Sequence, residues 1–97
     1  ETYTSSNFNV VGISEDYSAI SEDDYIGVVS EAPVTITLPE GMSGKCITVK
    51  NEWGEDSGVI TVMGSNEELI DREPSFELTE PFESVSFIFR SGSWHAI

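Results

Sequence analysis

Residues 33–51, PVTITLPEGMSGKCITVKN, constrain the fold of this chain more than any other stretch. Val34, Ile36 and Leu38 alternate with Thr35 and Thr37, the period-2 pattern of a strand with one buried face. Pro39 stops that strand, because it has no N–H to offer a sheet ladder. After the loop Glu40–Gly44, a second strand over 45–50 turns Ile47 and Val49 one way and Cys46, Thr48 and Lys50 the other. Two such strands joined by a short glycine-containing loop predict a β-hairpin. Pairing of this kind sets an antiparallel, all-β frame for the rest of the chain.

The same alternation recurs in both directions. Short strands are expected over 8–14, 17–20 and 25–29 on the N-terminal side. On the C-terminal side they are expected over 59–63, at Leu69–Ile70, around Phe76 and Leu78, over 85–90 and over 94–97. Loops rich in turn residues separate them, and no helix of ordinary length is evident. Eight to ten short strands at this spacing predict a small antiparallel sandwich or jelly-roll-like knob spanning residues 8–97. Residues 1–7 (ETYTSSN) are polar and read as a linker from a preceding stalk. The chain opens on Glu rather than Met and reads as a piece of something longer, whereas Ile97 ends a strand and reads as a natural carboxyl terminus.

Ninety-seven residues make one domain with a thin core, and a lone Cys46 leaves no intrachain disulfide to reinforce it. Assembly with further copies is a natural source of extra stability for such a domain. Cys46 lies inside a strand, where a small buried thiol is commoner than a reactive one. With 18 acidic against 4 basic residues the formal charge is −14. That surface repels phosphate backbones and anionic lipid, so nucleic acid and membrane surfaces are poor partners, and neither nucleic-acid binding nor membrane insertion is expected. Its plainest role is solubility or adaptation to salt. No apolar run is long enough to cross a membrane as a helix.

Catalytic signatures are missing: there is no G-x-S-x-G, no C-x-x-C, no H-E-x-x-H and no P-loop. His95 is the one histidine, and its place beside Trp94 on the last strand points to a structural or interface role. Eighteen acids guarantee that some carboxylate pair exists, so a glycosidase reading has no support in pairing alone. The expectation is a protein that is not an enzyme. For metals, the acidic loop residues Asp16, Glu22, Asp23 and Asp24, or alternatively Glu52, Glu55 and Asp56, are candidate Ca2+ ligands, although neither run matches the EF-hand loop. Trp53 lies in the loop EWGEDSG, where a tryptophan is more informative than in a core. Sugars stack on exposed aromatic rings while carboxylates hold their hydroxyls, so Trp53 with Glu52, Glu55 and Asp56, and separately Tyr17, are ligand candidates. The competing reading has Trp53 covering the end of the core or filling a subunit contact, the commoner use of such a residue.

The ordered succession DDYIGVV, PVTITLPE, GKCITVKN, SGVITVMG, ELID and FELTEPFESVSFIFRSGSWHAI resembles the C-terminal β-rich tip module of bacteriophage tail fibres, tail needles and related virion adhesins. The likeness runs over 24–97; residues 1–23 and the heavy negative charge are not part of the pattern. It implies a homotrimeric knob at the distal tip of a virion fibre, extracellular during attachment. Such a knob caps a stalk and either recognises a host cell-surface receptor, a glycan among the candidates, or locks the trimer. Val85, Phe87, Phe89 and Ile97 are then the candidates for trimer axis or core. The alternative is a carbohydrate-binding module of a secreted bacterial protein, which would be monomeric.

Overall fold

The computed structural model describes residues 8–97, so the expected linker 1–7 lies outside the described residues. Among the described residues there are nine strands: β1 (Val10–Ile13), β2 (Tyr17–Ser18), β3 (Tyr25–Val28), β4 (Val34–Thr37), β5 (Cys46–Asn51), β6 (Ile60–Met63), β7 (Ser75–Leu78), β8 (Ser84–Arg90) and β9 (Ser93–Ala96). They form a five-stranded sheet in the order β1-β3-β5-β8-β9 and a four-stranded sheet in the order β2-β4-β6-β7. The all-β expectation therefore stands, and most strand positions follow the alternation read from the sequence.

The pairing does not. The hairpin expected between the strands at 34–38 and 45–50 is absent, because β4 and β5 belong to different sheets. β4 lies parallel to both β2 and β6, and β5 lies parallel to β3. Only the last third of the chain is antiparallel, where β6 pairs with β7, β5 with β8 and β8 with β9. An antiparallel sandwich is thus corrected to two mixed sheets. Parallel neighbours need a long crossover, and here each crossover is itself a strand of the other sheet. The chain alternates between sheets from β1 to β6 and stacks three successive turns, Val11 on Ile26 on Val49 in one sheet and Tyr17 on Ile36 on Val62 in the other.

One hydrophobic core draws on both sheets. Ile26, Val28, Ile47, Val49, Phe87 and Trp94 come from the first, and Val34, Ile36, Ile60, Val62 and Leu78 from the second. Phe76 of β7 meets Phe87 of β8 edge-on at 5.4 Å, and Phe89 meets Trp94 edge-on at 5.3 Å, the geometries aromatic quadrupoles favour. Trp94 is fully buried, and its Nε1 donates to Glu68 Oε1 at 3.2 Å. Of the four residues expected at an axis or core, Phe87 is in the core and Val85 and Phe89 pack against it, while Ile97 is 72% exposed. Cys46, expected as a buried thiol, is exposed on the outer side of β5.

The outer side of the five-stranded sheet mixes small side chains with Val10, Tyr25 and Lys50, and Glu52 folds over Gly27 there. Gly12, Gly27, Lys50 and Ser84 share one row, and Val10, Tyr25, Thr48 and Ser86 share the next. The Thr48 and Ser86 hydroxyls bond across the row at 2.8 Å. Among the described residues no helix is long and apolar enough to cross a membrane.

Candidate functional site

The loop carrying Trp53 is organised by one buried side chain. Ile47, Val49 and Asn51 are the inward positions of β5, and the third is polar because the strand ends there and the chain must turn. A buried amide has to find partners for its whole hydrogen-bonding capacity, and Asn51 finds them in two loops. Its Oδ1 accepts from the Trp53 and Gly54 amides at 3.0 and 3.1 Å, an Asx turn that fixes the start of the 52–58 loop. Its Nδ2 donates to Ser57 Oγ at 2.8 Å and lies 3.2 Å from the Glu80 carbonyl of the neighbouring loop. The backbone bond from Asn51 N to the Glu83 carbonyl, 2.9 Å, ties the same two loops together.

The second loop is the turn Glu80-Pro81-Phe82-Glu83, closed by Glu83 N donating to the Glu80 carbonyl at 3.2 Å. Glu83 Oε1 accepts from the Thr79 and Glu80 amides at 3.0 and 3.1 Å. Phe82 stands at φ 59, a position where such a turn with proline at its second residue ordinarily wants glycine. Its ring lies over Gly54, where a Cβ would come within 2.8 Å of Phe82 Cζ. Gly54 is thus required twice, by its φ of 105 and by the ring above it. Trp53 is 42% exposed and Phe82 55% exposed, both fixed by backbone rather than by burial. Glu55, Asp56 and Glu80 lie exposed on the same two loops.

The two loops at this end of the molecule thus carry two exposed aromatic side chains, Trp53 and Phe82, together with the exposed carboxylates of Glu55, Asp56 and Glu80. A hydroxyl-rich, uncharged ligand matches them, since its C–H face can cover a ring and its O–H groups can donate to carboxylates. Trp53, Glu55 and Asp56 are in this loop as expected. Glu52 begins the loop but folds back over Gly27 on the outer face of the five-stranded sheet, where its carboxylate accepts from the Tyr25 hydroxyl. That bond holds the Tyr25 phenol protonated and pushes it up to about 12.

Tyr17 does not join the site. It is on edge strand β2 of the other sheet, and its hydroxyl donates to Asp23 Oδ2 at 2.7 Å, which raises the phenol to about 12. Of the candidate metal ligands, Asp16, Glu22, Asp23 and Asp24 do not converge either, because each carboxylate has a separate local partner. Asp23 is 6% exposed and also accepts from the Ile20 amide at 3.0 Å. Asp24 accepts from the Asn9 amide at 2.9 Å and pairs with Lys45 at 3.2 Å; the Asn9 bond, then Lys45, holds its carboxyl below the usual range. Asp16 accepts from the Thr35 amide at 2.8 Å and Glu22 from Ser21 Oγ at 3.3 Å. Among the described residues no group of three or more His, Cys, Asp or Glu is placed to hold a metal ion.

Phe82 is the site residue that sequence reading missed. Its signal was present in Glu-Pro-Phe-Glu, where a large aromatic sits next to proline in the turn between two alternating stretches, Phe76/Leu78 and Val85/Phe87/Phe89, and belongs to neither. A scan against protein-family models found no match for this chain, and a search of curated proteins found no relative.

Proposed function

We propose that this chain is the distal tip of a bacteriophage fibre or needle, a homotrimeric knob that recognises a host cell-surface receptor without catalysis. The observation that supports it best is the pair of exposed aromatic side chains, Trp53 and Phe82, held on adjoining loops by buried Asn51, with exposed carboxylates on the same loops. Such an end is pre-organised to receive a glycan. The ordered motifs over 24–97 that resemble virion tip modules support the setting. Assembly has a suitable surface in the outer side of the five-stranded sheet. Its small residues Gly12, Thr48, Ser84 and Ser86 allow close approach, and exposed Val10 and Ile97 supply apolar area. Three copies in a jelly-roll-like knob would bury that face.

The test is the molar mass of residues 1–97 in solution by light scattering, with and without a chelator, followed by a neutral-glycan binding screen. A mass of three chains, and glycan binding that W53A and F82A each abolish, is the expected result. Loss of the trimer on chelation would add a structural Ca2+. A stable monomer would overturn the fibre-tip reading. If the monomer bound sugar through Trp53, the carbohydrate-binding module of a secreted bacterial protein would take its place.

A further inference from the structure

The chain has two arginines, and the fold brings both to one concavity. Arg72 and Arg90 line it with Asp71, Ser91, Ser93 and His95, at the end of the five-stranded sheet formed by the β8–β9 turn. Both arginines are exposed, and among the described residues neither guanidinium makes an ion pair or a hydrogen bond. In a protein of formal charge −14, with acids available on every side, two unengaged guanidiniums facing one hollow are not what chance pairing gives.

Two turns build the hollow, and both are of the left-handed kind. Asp71 and Arg72 stand at φ 50 and 70 between Ile70 and Glu73, which exchange both backbone bonds at 2.8 Å. Ser91 and Gly92 stand at φ 54 and 82 between Arg90 and Ser93. Type I′ turns of this form favour Asn, Asp and Gly at their central positions. The Ser91-Gly92 turn nearly satisfies that preference. An arginine at the second central position of the other turn does not, since glycine there would remove the steric conflict of a Cβ at positive φ. Backbone strain of this sort collects where a side chain is needed.

We infer that this hollow binds an oxyanion, a carboxylate or phosphate group carried on a small molecule or sugar, with Arg72 and Arg90 as the charged donors. The Ser91 and Ser93 hydroxyls supply neutral donors beside them. Guanidinium groups suit this ligand because their fixed forks of N–H groups match carboxylate and phosphate oxygens in pairs. Asp71 is the opposing charge in the hollow. Its Oδ1 is turned to the Ala96 amide at 3.3 Å and to His95 Nδ1 at 4.0 Å, on the side away from solvent-facing Arg72. With His95 neutral, the six lining residues still sum to one positive charge. A local positive hollow on a strongly negative body accepts one isolated oxyanion and rejects a polyanion, whose remaining charges meet the acidic surface. The site is separate from the aromatic tip in residues and in ligand chemistry, and it stands or falls independently of it.

The test is a titration of the chain with inorganic phosphate and, separately, with glucuronate, at fixed ionic strength with chloride as control, read by amide NMR. Saturable shifts confined to residues 70–73 and 90–95 are expected. The phosphate and glucuronate arms show which oxyanion the hollow prefers. R72G and R90Q should each weaken binding by roughly tenfold or more, and D71N should tighten it. R72G is the informative variant, because glycine fits the turn and the fold should be retained or stabilised while binding is lost. Shifts that grow linearly and are matched by chloride would overturn the inference, as would saturable binding that survives in the R72G/R90Q double variant. A lower molar mass in either arginine variant would also overturn it, by showing the hollow to be a contact between copies.

Discussion

Asn51 shows how a single polar side chain can set the geometry of two adjoining loops. It is 2% exposed, and every hydrogen bond it makes beyond its own backbone reaches into a loop. Truncation to alanine would strand the Trp53 and Gly54 amides and the Glu80 carbonyl together. The expected cost of N51A is roughly 2–4 kcal/mol in urea unfolding, since each stranded group carries its own desolvation penalty. Trp53 emission should shift to that of a fully solvated indole in the folded variant, while buried Trp94 serves as the internal reference. Tyr17 and Tyr25 offer a second check at this scale. Each phenol donates to a carboxylate, and each is held up to about 12 from an ordinary value of 10.0. A folded-state value raised in this way gives stability that is complete below pH 10.0 and lost as pH rises through about 12. Phenolate absorbance should show these two groups ionising late. Y17F and Y25F should each flatten the alkaline loss of stability in the window between those two values.

Individual strands were legible in the sequence and their partners were not, for a reason that sits at the scale of the element. Alternation at Val34, Ile36, Ile47 and Val49 reports which side of a strand is buried, and that side is the same in a hairpin and in two sheets facing one core. A two-residue turn between β4 and β5 would have forced them together. The actual connection, through Pro39, Gly41 and Gly44, is long enough to cross to the other sheet. The stacked turns also escaped a search for repeats. Val10, Tyr25 and Thr48 share a row, but the steps between them are unequal, so no fixed period marks them. The candidate site was legible in half: Trp53 announced itself by composition, whereas Phe82 and the meeting of Arg72 with Arg90 depend on loops far apart in sequence. Close stacking of the turns leads to a further expectation. A Cβ on Gly58 would land in the backbone of Ala32 and Pro33, where neither neighbour can yield. G58A should cost about 2–3 kcal/mol. G27A meets only the mobile end of Glu52 and should cost about 1 kcal/mol, the loss of the Tyr25 bond. Parallel urea titrations of the two variants check the order.

At the scale of the whole molecule the governing quantity is the charge of −14 spread over a body of 42 × 36 × 20 Å. At about 0.01 M salt the screening length is roughly 30 Å, so nearly every carboxylate feels every other. At about 0.15 M it falls to roughly 8 Å, and only neighbours interact. Repulsion therefore opposes folding most at low salt, and it opposes the gathering of copies more strongly still. The few favourable pairs do not offset it: the Lys45–Asp24 bridge is partly shielded from solvent, and the His95–Asp71 contact is loose at 4.0 Å. Raising sodium chloride from about 0.01 to 0.15 M should raise the thermal midpoint by several degrees, about what 1 kcal/mol is worth in a domain of this size. A midpoint that fell with salt would mean that local ion pairs outweigh the net field, contrary to the arrangement of these side chains. The oxyanion hollow adds an internal contrast. Folding should gain from salt through relief of the net charge. Anion binding feels two opposed fields, since Arg72 and Arg90 attract at contact range while the acidic body repels from beyond it. Salt removes the longer-range field first, so affinity for phosphate should hold or rise over the same increment, where an ordinary basic site would lose it. Measuring both responses on one sample separates the charge of the molecule from the charge of the site.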